Sequence, residues 1–395
     1  MKRKLTLILS LLAICSAMQA ENWMGRLPDN AYVSVLSIPG AHDAATGSGW
    51  ASGMEELGDA FARTQDLTIN ELWAAGIRAF DLRPCVYEDH LNLNHGIMPT
   101  VLHFEDVLYM LRDSLAANPS EFIVIHLLHE TDGDQVENVY NQRLTSLLKS
   151  DELKDVLVDF TKNLTVGQAR GKMLILSRDR YASPPVTGGY FVNWTGEANW
   201  DKQKQCRIVG KGSQSSCYIQ DYSDTHGTGG LTTKVNAISQ LLDYSTTHKT
   251  TNVSSIVWVL NFASAYSKVE NLFGYEISSS DGYRDNATHT HAAILDYLSA
   301  KPAGPTGIVL MDYAGVDRSN DYEVNGRQLV EALIDNNFRY LDDGAGIRAT
   351  TRETVGPKQY YSLDGKRTDP ARRRGVSIVR HGDGSVSKVF YSKLE

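Results

Sequence analysis

Short apolar segments recur along this chain about every forty residues, and helical patterns lie between them. The apolar segments are rich in Val and Ile, and several are continuous rather than alternating, as in parallel strands that are covered on both faces. They cover residues 33–38, 77–82, 122–128, 173–176, 218–220, 256–260 and 308–311. The helical patterns cover residues 67–75, 104–117, 136–148, 233–244, 291–300 and 326–335.

Strands that alternate with helices predict an α/β fold built on a parallel sheet. Seven or eight such units, with neither a P-loop nor a GxGxxG fingerprint, favour a distorted β/α barrel of the TIM-barrel type over a doubly wound sheet. We therefore predict a TIM-barrel-like domain over residues 21–350.

The character of the chain changes after Gly356. Three β segments follow at 360–363, 376–379 and 386–391, and residues 381–384 have the composition of a hairpin turn. Residues 357–395 contain nine Lys and Arg against four Asp and Glu, which gives this segment a charge of +5. We predict a short C-terminal β-rich module. It resembles the C-terminal sorting modules of type IX secretion, and a simple attachment hairpin is the alternative.

The first residues predict the compartment. Lys2, Arg3 and Lys4 precede an apolar run over 5–14, and small residues continue to Ala20, which is the layout of a cleavable signal peptide over residues 1–20. We therefore expect a secreted, periplasmic or cell-surface protein. A net charge of 39 minus 47, or -8, gives no overall attraction for nucleic acid, and no nucleic-acid partner is expected.

An oxidising compartment bears on the cysteines. Cys206 and Cys217 lie on either side of a turn-rich stretch, so they could pair across a hairpin or remain thiols. The sequence does not supply the spacing that a disulfide requires.

Polar residues follow several of the predicted strands, at the end of a parallel barrel where reactive groups lie. Asp81 and Arg83 lie on the same side of a strand because side chains alternate with a period of two. The residues at these strand ends include His42 and Asp43, Asp81 and Arg83, His95, and Asp312.

Two histidines, an arginine and a carboxylate suit phosphodiester cleavage without a metal. One imidazole removes a proton from an attacking hydroxyl, the other protonates the departing oxygen, and the guanidinium stabilises charge on the phosphoryl oxygens. Histidine suits both roles because its ordinary pKa lies near neutral pH.

Three motifs, at 37–43, 76–83 and 94–96, resemble the opening motifs of bacterial phosphatidylinositol-specific phospholipase C in residues, order and spacing. The segments 118–121, 171–172 and 308–313 extend the resemblance over most of the chain that follows residue 20. The resemblance implies an enzyme that cleaves phosphatidylinositol, or its glycosylated anchor form, into diacylglycerol and cyclic inositol phosphate. It implies neither a metal nor another cofactor.

The resemblance also implies residue roles. His42 would be the general base toward the inositol 2-hydroxyl, with Asp312 behind its ring. His95 would be the general acid, assisted by Asp43. Arg83 would contact the phosphate, where calcium-dependent relatives place a metal ligand.

Inositol recognition would involve Arg178 and Asp221, which fall where the family holds ring hydroxyls; an ordinary ion pair at the strand ends is the alternative. The chain departs from the family at Leu128, where the family tends to carry Lys, and His126 is a candidate substitute from the neighbouring layer. The residues after Asp221 also depart from the expected aromatic position.

Access to a lipid substrate requires an apolar rim. Trp50, Met54, Leu57 and Phe61 have rough helical spacing near the predicted mouth of the barrel, so they are candidates for transient contact with a membrane interface. Packing against the barrel core is the alternative. No obligate protein partner is evident.

The sequence also allows a metal site and two different functions. Asp285, His289 and His291 could bind zinc or cap a helix that begins near residue 290. The protein could instead be a metal-dependent glycerophosphodiesterase, or a noncatalytic barrel that binds lipid or carbohydrate.

Overall fold

A computed structural model describes residues 22–341 except 132, 135, 180–185, 195–205, 248–255 and 273–274, together with three strands between residues 359 and 391. The predicted signal peptide and the turn at 381–384 lie outside the described residues. The chain divides into two compact units, Met1–Ile347 and Arg348–Glu395.

The strands of the first unit fall into a barrel and two small antiparallel sheets. In chain order they are β1 (Ser37–Ala41), β2 (Ala79–Leu82), β3 (Pro84–Tyr87), β4 (His90–His95), β5 (Met98–His103), β6 (Ile123–Leu127), β7 (Met173–Ser177), β8 (Gly189–Val192), β9 (Cys206–Gly210), β10 (Ser213–Gln220), β11 (Val257–Phe262), β12 (Val269–Leu272), β13 (Tyr275–Ser278) and β14 (Gly307–Met311).

Helices cover much of the chain between the barrel strands. The α-helices are α1 (Glu55–Phe61), α2 (Ile69–Ala74), α3 (Phe104–Ala117), α4 (Glu137–Leu148), α5 (Val166–Ala169), α6 (Gly230–Thr247), α7 (Ser280–Ala300) and α8 (Gly326–Tyr340). Short 3-10 helices occupy Trp23–Arg26, Val33–Val35 and Ala44–Ser48. In the described part of the chain, no helix combines the length and the apolar character that crossing a membrane requires.

The predicted β/α barrel is confirmed. The strands β1, β2, β6, β7, β8, β9, β10, β11 and β14 close into a ring in this order, with β14 pairing β1. Each of the seven apolar segments of the sequence contributes one of these strands. Every residue of β6, β7 and β14 is buried, as expected for parallel strands covered on both faces.

The barrel differs from a regular TIM barrel at two strands that the sequence patterns missed. The strand β9 runs antiparallel to both of its neighbours, β8 and β10. Burial alternates along β8 and β9, so neither strand forms the continuous apolar run that marks the other barrel strands. The alternation hid them among turn residues.

The predicted helix starting near residue 290 begins earlier, at Ser280. The Ser279 side chain caps it by accepting a hydrogen bond from the Gly282 amide. Its first half is polar, so no apolar periodicity indicated a helix before residue 291.

Cys206 and Cys217 lie directly opposite each other in the antiparallel β9–β10 ladder, and both are buried. No disulfide joins them in this structure. The pairing that the sequence left open therefore has the register it needs, while both residues remain thiols.

The second unit contains a three-stranded antiparallel sheet of β15 (Gln359–Tyr361), β16 (Gly375–Arg380) and β17 (Val386–Tyr391). These strands lie at the three predicted β segments.

A fully buried ion pair joins the start of β2 to the start of β6. The guanidinium of Arg78 donates to Glu121 over 3.0 Å and also to the backbone carbonyls of Trp73 and Ile77. Glu121 in turn accepts from the amides of Met24 and Gly25, which holds the chain preceding β1 against the barrel.

We expect Glu121→Ala to lower the free energy of unfolding by about 3–5 kcal/mol, because it leaves the Arg78 charge buried without its carboxylate. The matched control is Glu331→Ala, which breaks an exposed helical pair with Arg327 and should cost less than about 0.5 kcal/mol. Denaturant unfolding measures both values. Equal losses in the two variants would contradict a stabilising role for the buried pair.

Candidate active site

The candidate catalytic residues of the sequence come together at the carboxyl ends of β1, β2 and β14. His42 follows β1, Asp81 lies in β2, and Asp312 follows β14. His95 reaches the same place from the end of β4, in the small sheet that follows β2. The ring centroids of His42 and His95 are 6.2 Å apart.

The imidazole of His42 is held on both nitrogens. Its Nδ1 lies 2.8 Å from Asp312 Oδ1, and its Nε2 lies 2.8 Å from a terminal nitrogen of Arg83. A guanidinium can only donate, so Nε2 accepts and the ring proton is on Nδ1, donated to Asp312. This tautomer leaves the Nε2 lone pair facing the site, which is the state that a general base requires.

The carboxylate of Asp43 lies between the two imidazoles. Its Oδ2 is 3.2 Å from His42 Nε2 and 3.4 Å from His95 Nε2, while Oδ1 is 3.0 Å from Arg83 Nε. Burial raises the pKa of Asp43 well above its usual value, against the opposing effect of the Arg83 charge. This carboxyl group can therefore retain a proton next to both rings.

Arg83 is the cation that the whole cluster shares. One terminal nitrogen lies 3.0 Å from Asp81 Oδ2, and the other lies 3.7 Å from Glu130 Oε2. Burial alone would lower the pKa of Arg83. The carboxyl groups of Asp43, Asp81 and Glu130 outweigh this effect and raise the pKa well above its usual value. Burial would likewise raise the pKa of Asp81, yet Arg83 and then His126 hold it well below its usual value.

His95 is oriented by the backbone. Its Nδ1 donates to the carbonyl of Ala62 over 2.7 Å, so Nε2 faces Asp43. Burial, followed by the Arg83 charge, lowers the pKa of His95 to about 4, against the opposing effect of the Ala62 carbonyl. The hydroxyl of Tyr283 lies 3.5 Å from His95 Nε2 and donates to Ser278, so this tyrosine lies beside the same ring nitrogen that faces Asp43.

Burial also shifts the pKa values of His42 and its partner Asp312. It lowers the pKa of His42 well below the usual value, and the Arg83 charge acts in the same direction. Burial raises the pKa of Asp312 well above its usual value, with a smaller contribution from Asp43. His42 is therefore neutral near pH 7, ready to accept a proton.

The backbone just beyond the strands β1 and β14 is held in an unusual conformation. Asp43 and Tyr313 both have positive φ values, 40° and 48°. Non-glycine residues persist in this region only where the surroundings hold them. Gln65 supplies part of that hold: its side chain donates to the carbonyls of His42 and Met311 and accepts from the Ala314 amide.

The two residues predicted to hold inositol form a second cluster. Arg178 and Asp221 approach to 3.7 Å, and Trp194 links them. The indole N–H of Trp194 donates to Asp221 over 3.1 Å, and the Arg178 guanidinium lies 4.1 Å from the centre of the Trp194 ring. The expected aromatic neighbour is therefore supplied by the chain after β8, rather than by the residues that follow Asp221.

Several residues of the site were not assigned roles from the sequence. The sequence indicates Asp81 only as a partner of Arg83, and it gives no role to Glu130 or Trp194. The two-residue spacing between Asp81 and Arg83 is a signal that could have indicated a role for Asp81. No sequence pattern brings β8 close to β10, so Trp194 had no comparable signal.

A metal ion has one candidate position among the described residues. Ligand atoms of His42, Asp43 and Asp81 lie within 4.8 Å of one another. Arg83 contacts the carboxyl groups of both Asp43 and Asp81 at 3.0 Å, so a divalent ion would meet a fixed positive charge there. The donor set suits the arginine better than a metal.

The zinc hypothesis at Asp285, His289 and His291 is not supported. All three residues lie in α7, and none caps its start. His291 is buried, and its Nδ1 contacts the carbonyl of Val324 over 2.6 Å.

The apolar rim is only partly where the sequence placed it. Trp50 is buried, with Gly58 packed on its ring and its N–H donated to Asp59, so it is a structural residue. Met54 and Leu57 are exposed. The sequence missed Ile97 and Val101, which are also exposed and lie in the hairpin that carries His95.

The chain therefore belongs to the class of β/α-barrel proteins that carry an acid–base site at the strand ends. The groups of this site are two imidazoles, a buried arginine and paired carboxylates.

The chain is similar to known proteins in sequence and in structure. No protein-family model matches it. The 1-phosphatidylinositol phosphodiesterase of Staphylococcus aureus strain Newman is 26% identical over 305 residues, 75% of this chain and 88% of that protein.

The 1-phosphatidylinositol phosphodiesterase of Listeria monocytogenes is 29% identical over 177 residues, 44% of this chain and 53% of that protein. The match therefore spans about half the length of the Listeria relative. Among solved structures, the S. aureus phosphatidylinositol-specific phospholipase C superposes with a TM-score of 0.62 at 20% identity, covering 81% of this chain and 98% of the other. The L. monocytogenes enzyme gives 0.57 at 23% identity, covering 80% and 98%.

These comparisons confirm the similarity to bacterial phosphatidylinositol-specific phospholipase C that the motifs indicated. The curated relatives are enzymes, and the structural likeness independently supports the barrel fold.

We expect His42 to titrate well below 6.5, because burial and the neighbouring Arg83 charge both disfavour its protonation. Removing that charge in Arg83→Met should raise the pKa of His42. Histidine-ring NMR over a pH series measures both, with His226 as an internal control: it is exposed and its pKa is raised by Asp224. A His42 pKa at or above 6.5 in the unmodified protein would refute this description.

Proposed function

We propose that this protein cleaves phosphatidylinositol, or its glycosylated anchor form, into diacylglycerol and cyclic inositol phosphate without a metal. The observation that carries the proposal is that both Nε2 atoms, of His42 and His95, lie within 3.4 Å of one Asp43 oxygen beside Arg83. One phosphodiester is small enough to contact all of these groups together.

In the proposed reaction, His42 Nε2 takes the proton from the inositol 2-hydroxyl. The 2-oxygen then forms a bond to phosphorus while the bond from phosphorus to the diacylglycerol oxygen breaks. The proton that the departing oxygen needs comes from His95 Nε2, once Asp43 has transferred its own proton to that nitrogen. Because the nucleophile belongs to the substrate, no covalent enzyme intermediate forms.

The remaining groups stabilise these charges. Asp312 accepts a hydrogen bond from the Nδ1–H of His42 and stabilises the ring once it becomes positive. Arg83 leaves its contact with His42 to bind the phosphoryl oxygens, where its fork of donors matches the geometry. Burial raises the pKa of Asp43, so this carboxyl group holds a proton 3.4 Å from His95 Nε2, and its transfer to the ring charges the general acid.

Head-group recognition falls to the second cluster. Arg178 donates to ring hydroxyls and Asp221 accepts from them, while Trp194 offers a flat apolar face beside both. Leu128 stands where the family tends to carry Lys and cannot make its polar contact. We also propose that the protein is exported after cleavage of residues 1–20.

His42→Ala and His95→Ala should each lower the rate of cyclic inositol phosphate formation by about 10²–10⁴-fold, because each removes one proton-transfer group. Phosphorus NMR of the products from phosphatidylinositol measures the rate. The control is His226→Ala, an exposed histidine distant in sequence from either motif, which should retain full activity. Near-normal turnover by either active-site variant would defeat the proposal.

The same assay separates the three candidate functions. Activity should persist in EDTA, whereas a metal-dependent glycerophosphodiesterase would lose it. A noncatalytic binding barrel would give no product under either condition.

The exposed apolar side chains suit transient contact with a lipid surface. The chain at 49–51 pairs with β5, through Ala51 N to Pro99 O and Val101 N to Gly49 O, so the start of α1 and the His95 hairpin form one rim. Met54 and Leu57 lie on one side of this pairing, and Ile97, which is 73% exposed, lies at the turn two residues after His95.

The double variant Met54→Ser with Ile97→Ser should bind phosphatidylinositol vesicles at least about tenfold more weakly, because it removes apolar area that enters the lipid. A vesicle-sedimentation assay measures this. Trp50→Phe is the control and should bind normally, since Trp50 is buried. Turnover of a monomeric short-chain substrate should be unchanged, and unaltered vesicle binding by the double variant would remove the rim from the proposal.

A further inference from the structure

A third imidazole lies directly behind the catalytic cluster. His126, in β6, is 3% exposed, and its Nδ1 lies 2.7 Å from Asp81 Oδ1. Its Nε2 is buried and has no hydrogen-bond partner among the residues that the structure describes. The ring is surrounded instead by aromatic side chains, with centroids 5.5–6.0 Å away, from Phe191, Trp194 and Phe262.

The contacts of Asp81 show why this arrangement matters. Its Oδ1 serves His126, and its Oδ2 accepts from Arg83 over 3.0 Å and from the Asp43 backbone amide over 3.2 Å. One carboxylate thus joins His126 to the cation and to the residue that separates the two catalytic imidazoles. Without a donor on Oδ1, the carboxylate would be able to rotate about its last bond.

The surroundings also determine the tautomer of His126. The ionised carboxylate of Asp81 can only accept, so Nδ1 carries the proton. Its Nε2 faces aromatic rings and finds no acceptor among the described residues, so the ring serves Asp81 as a donor through Nδ1.

We propose that His126 is a positioning residue that fixes the Asp81 carboxylate, so that Arg83 is held beside His42 and Asp43 where the phosphate binds. The role in turnover rests on the proposed function. His126 also contacts Trp194 of the second cluster, which Trp194 forms with Arg178 and Asp221. His126 therefore lies between this cluster and the groups around Arg83. It does not replace the missing family lysine, because its polar contact is to Asp81.

The proposal has a consequence for pH dependence. His126 and Arg83 both lower the pKa of Asp81, so losing the His126 bond lets Asp81 protonate at a higher pH and release Arg83 sooner on acidification. The charged and titratable groups that act on this carboxylate, or on which it acts, are Arg83, His126, His42, Asp43, His95 and Arg178.

The test compares His126→Leu with His126→Asn. Leucine removes the donor at similar volume, whereas the asparagine amide can donate from near the Nδ1 position. We expect His126→Leu to lower kcat roughly 10- to 100-fold, the range for a lost hydrogen bond to a charged group, with little change in KM. The acidic limb of its kcat–pH profile should move to higher pH. His126→Asn should restore most of the rate and the original limb.

A purely structural role would instead lower activity equally in both variants, in proportion to their thermal stability, and leave the limb in place. That result would overturn the proposal. Two measurements apply even without turnover. Nitrogen NMR should show a proton on Nδ1 of His126 that is hydrogen-bonded to Asp81, and crystal structures should show Arg83 displaced from Asp81 in the Leu variant alone.

These outcomes are distinguishable from failure of the proposed function. If the unmodified protein does not turn over phosphatidylinositol, the proposed function fails, and the tautomer and the variant structures still decide the role of His126. If it does turn over the lipid and His126→Leu retains the full rate, only the positioning role is wrong.

Discussion

The site depends on one buried cation between two buried carboxylates. Arg83 contacts Asp43 and Asp81 at 3.0 Å each, and neither carboxylate has more than 3% of its surface exposed. Charges this deeply buried are tolerated only when they are paired. The guanidinium therefore fixes Asp43 between the two imidazoles, and burial together with this positive charge keeps His42 neutral. In the proposed reaction, a positive charge that belongs to the chain is therefore present where the phosphate binds before any substrate arrives.

The barrel makes this precision possible. His42, Asp81 and Asp312 follow or end adjacent strands of one closed ring, β14, β1 and β2, so the backbone ladder fixes their spacing. The left-handed conformations of Asp43 and Tyr313 turn the chain sharply just beyond those strands. A site that is built on strand ends loses little entropy when the substrate binds, because its side chains are already ordered.

The sequence predicted those parts of the molecule that have a local signature. Continuous apolar runs located seven barrel strands, and the helix over Phe104–Ala117 was placed correctly at both ends. The strand β9 escaped because its burial alternates, and the first half of α7 escaped because it is polar. For Trp50 the sequence left contact with lipid and packing on the barrel both open, because helical spacing does not indicate which side faces the protein, and the structure buries it.

The same limit applies to the site. Motif positions indicated His42, His95, Arg83 and Asp312, since these residues end predicted strands. The positions of other groups depend on which strands are neighbours in the barrel. This pairing decides where Trp194 lies and brings His126 to Asp81. The order of residues along the chain does not contain that information. Long-range pairing decides the surroundings of each catalytic group, and with them its pKa.

The most direct test of the central claim is a crystal structure of the protein bound to a nonhydrolysable phosphonate analogue of phosphatidylinositol. We expect one phosphorus atom with His42 Nε2 and His95 Nε2 on opposite sides and the Arg83 guanidinium on its free oxygens. Phosphorus bound away from Arg83, or within reach of only one imidazole, would contradict the claim.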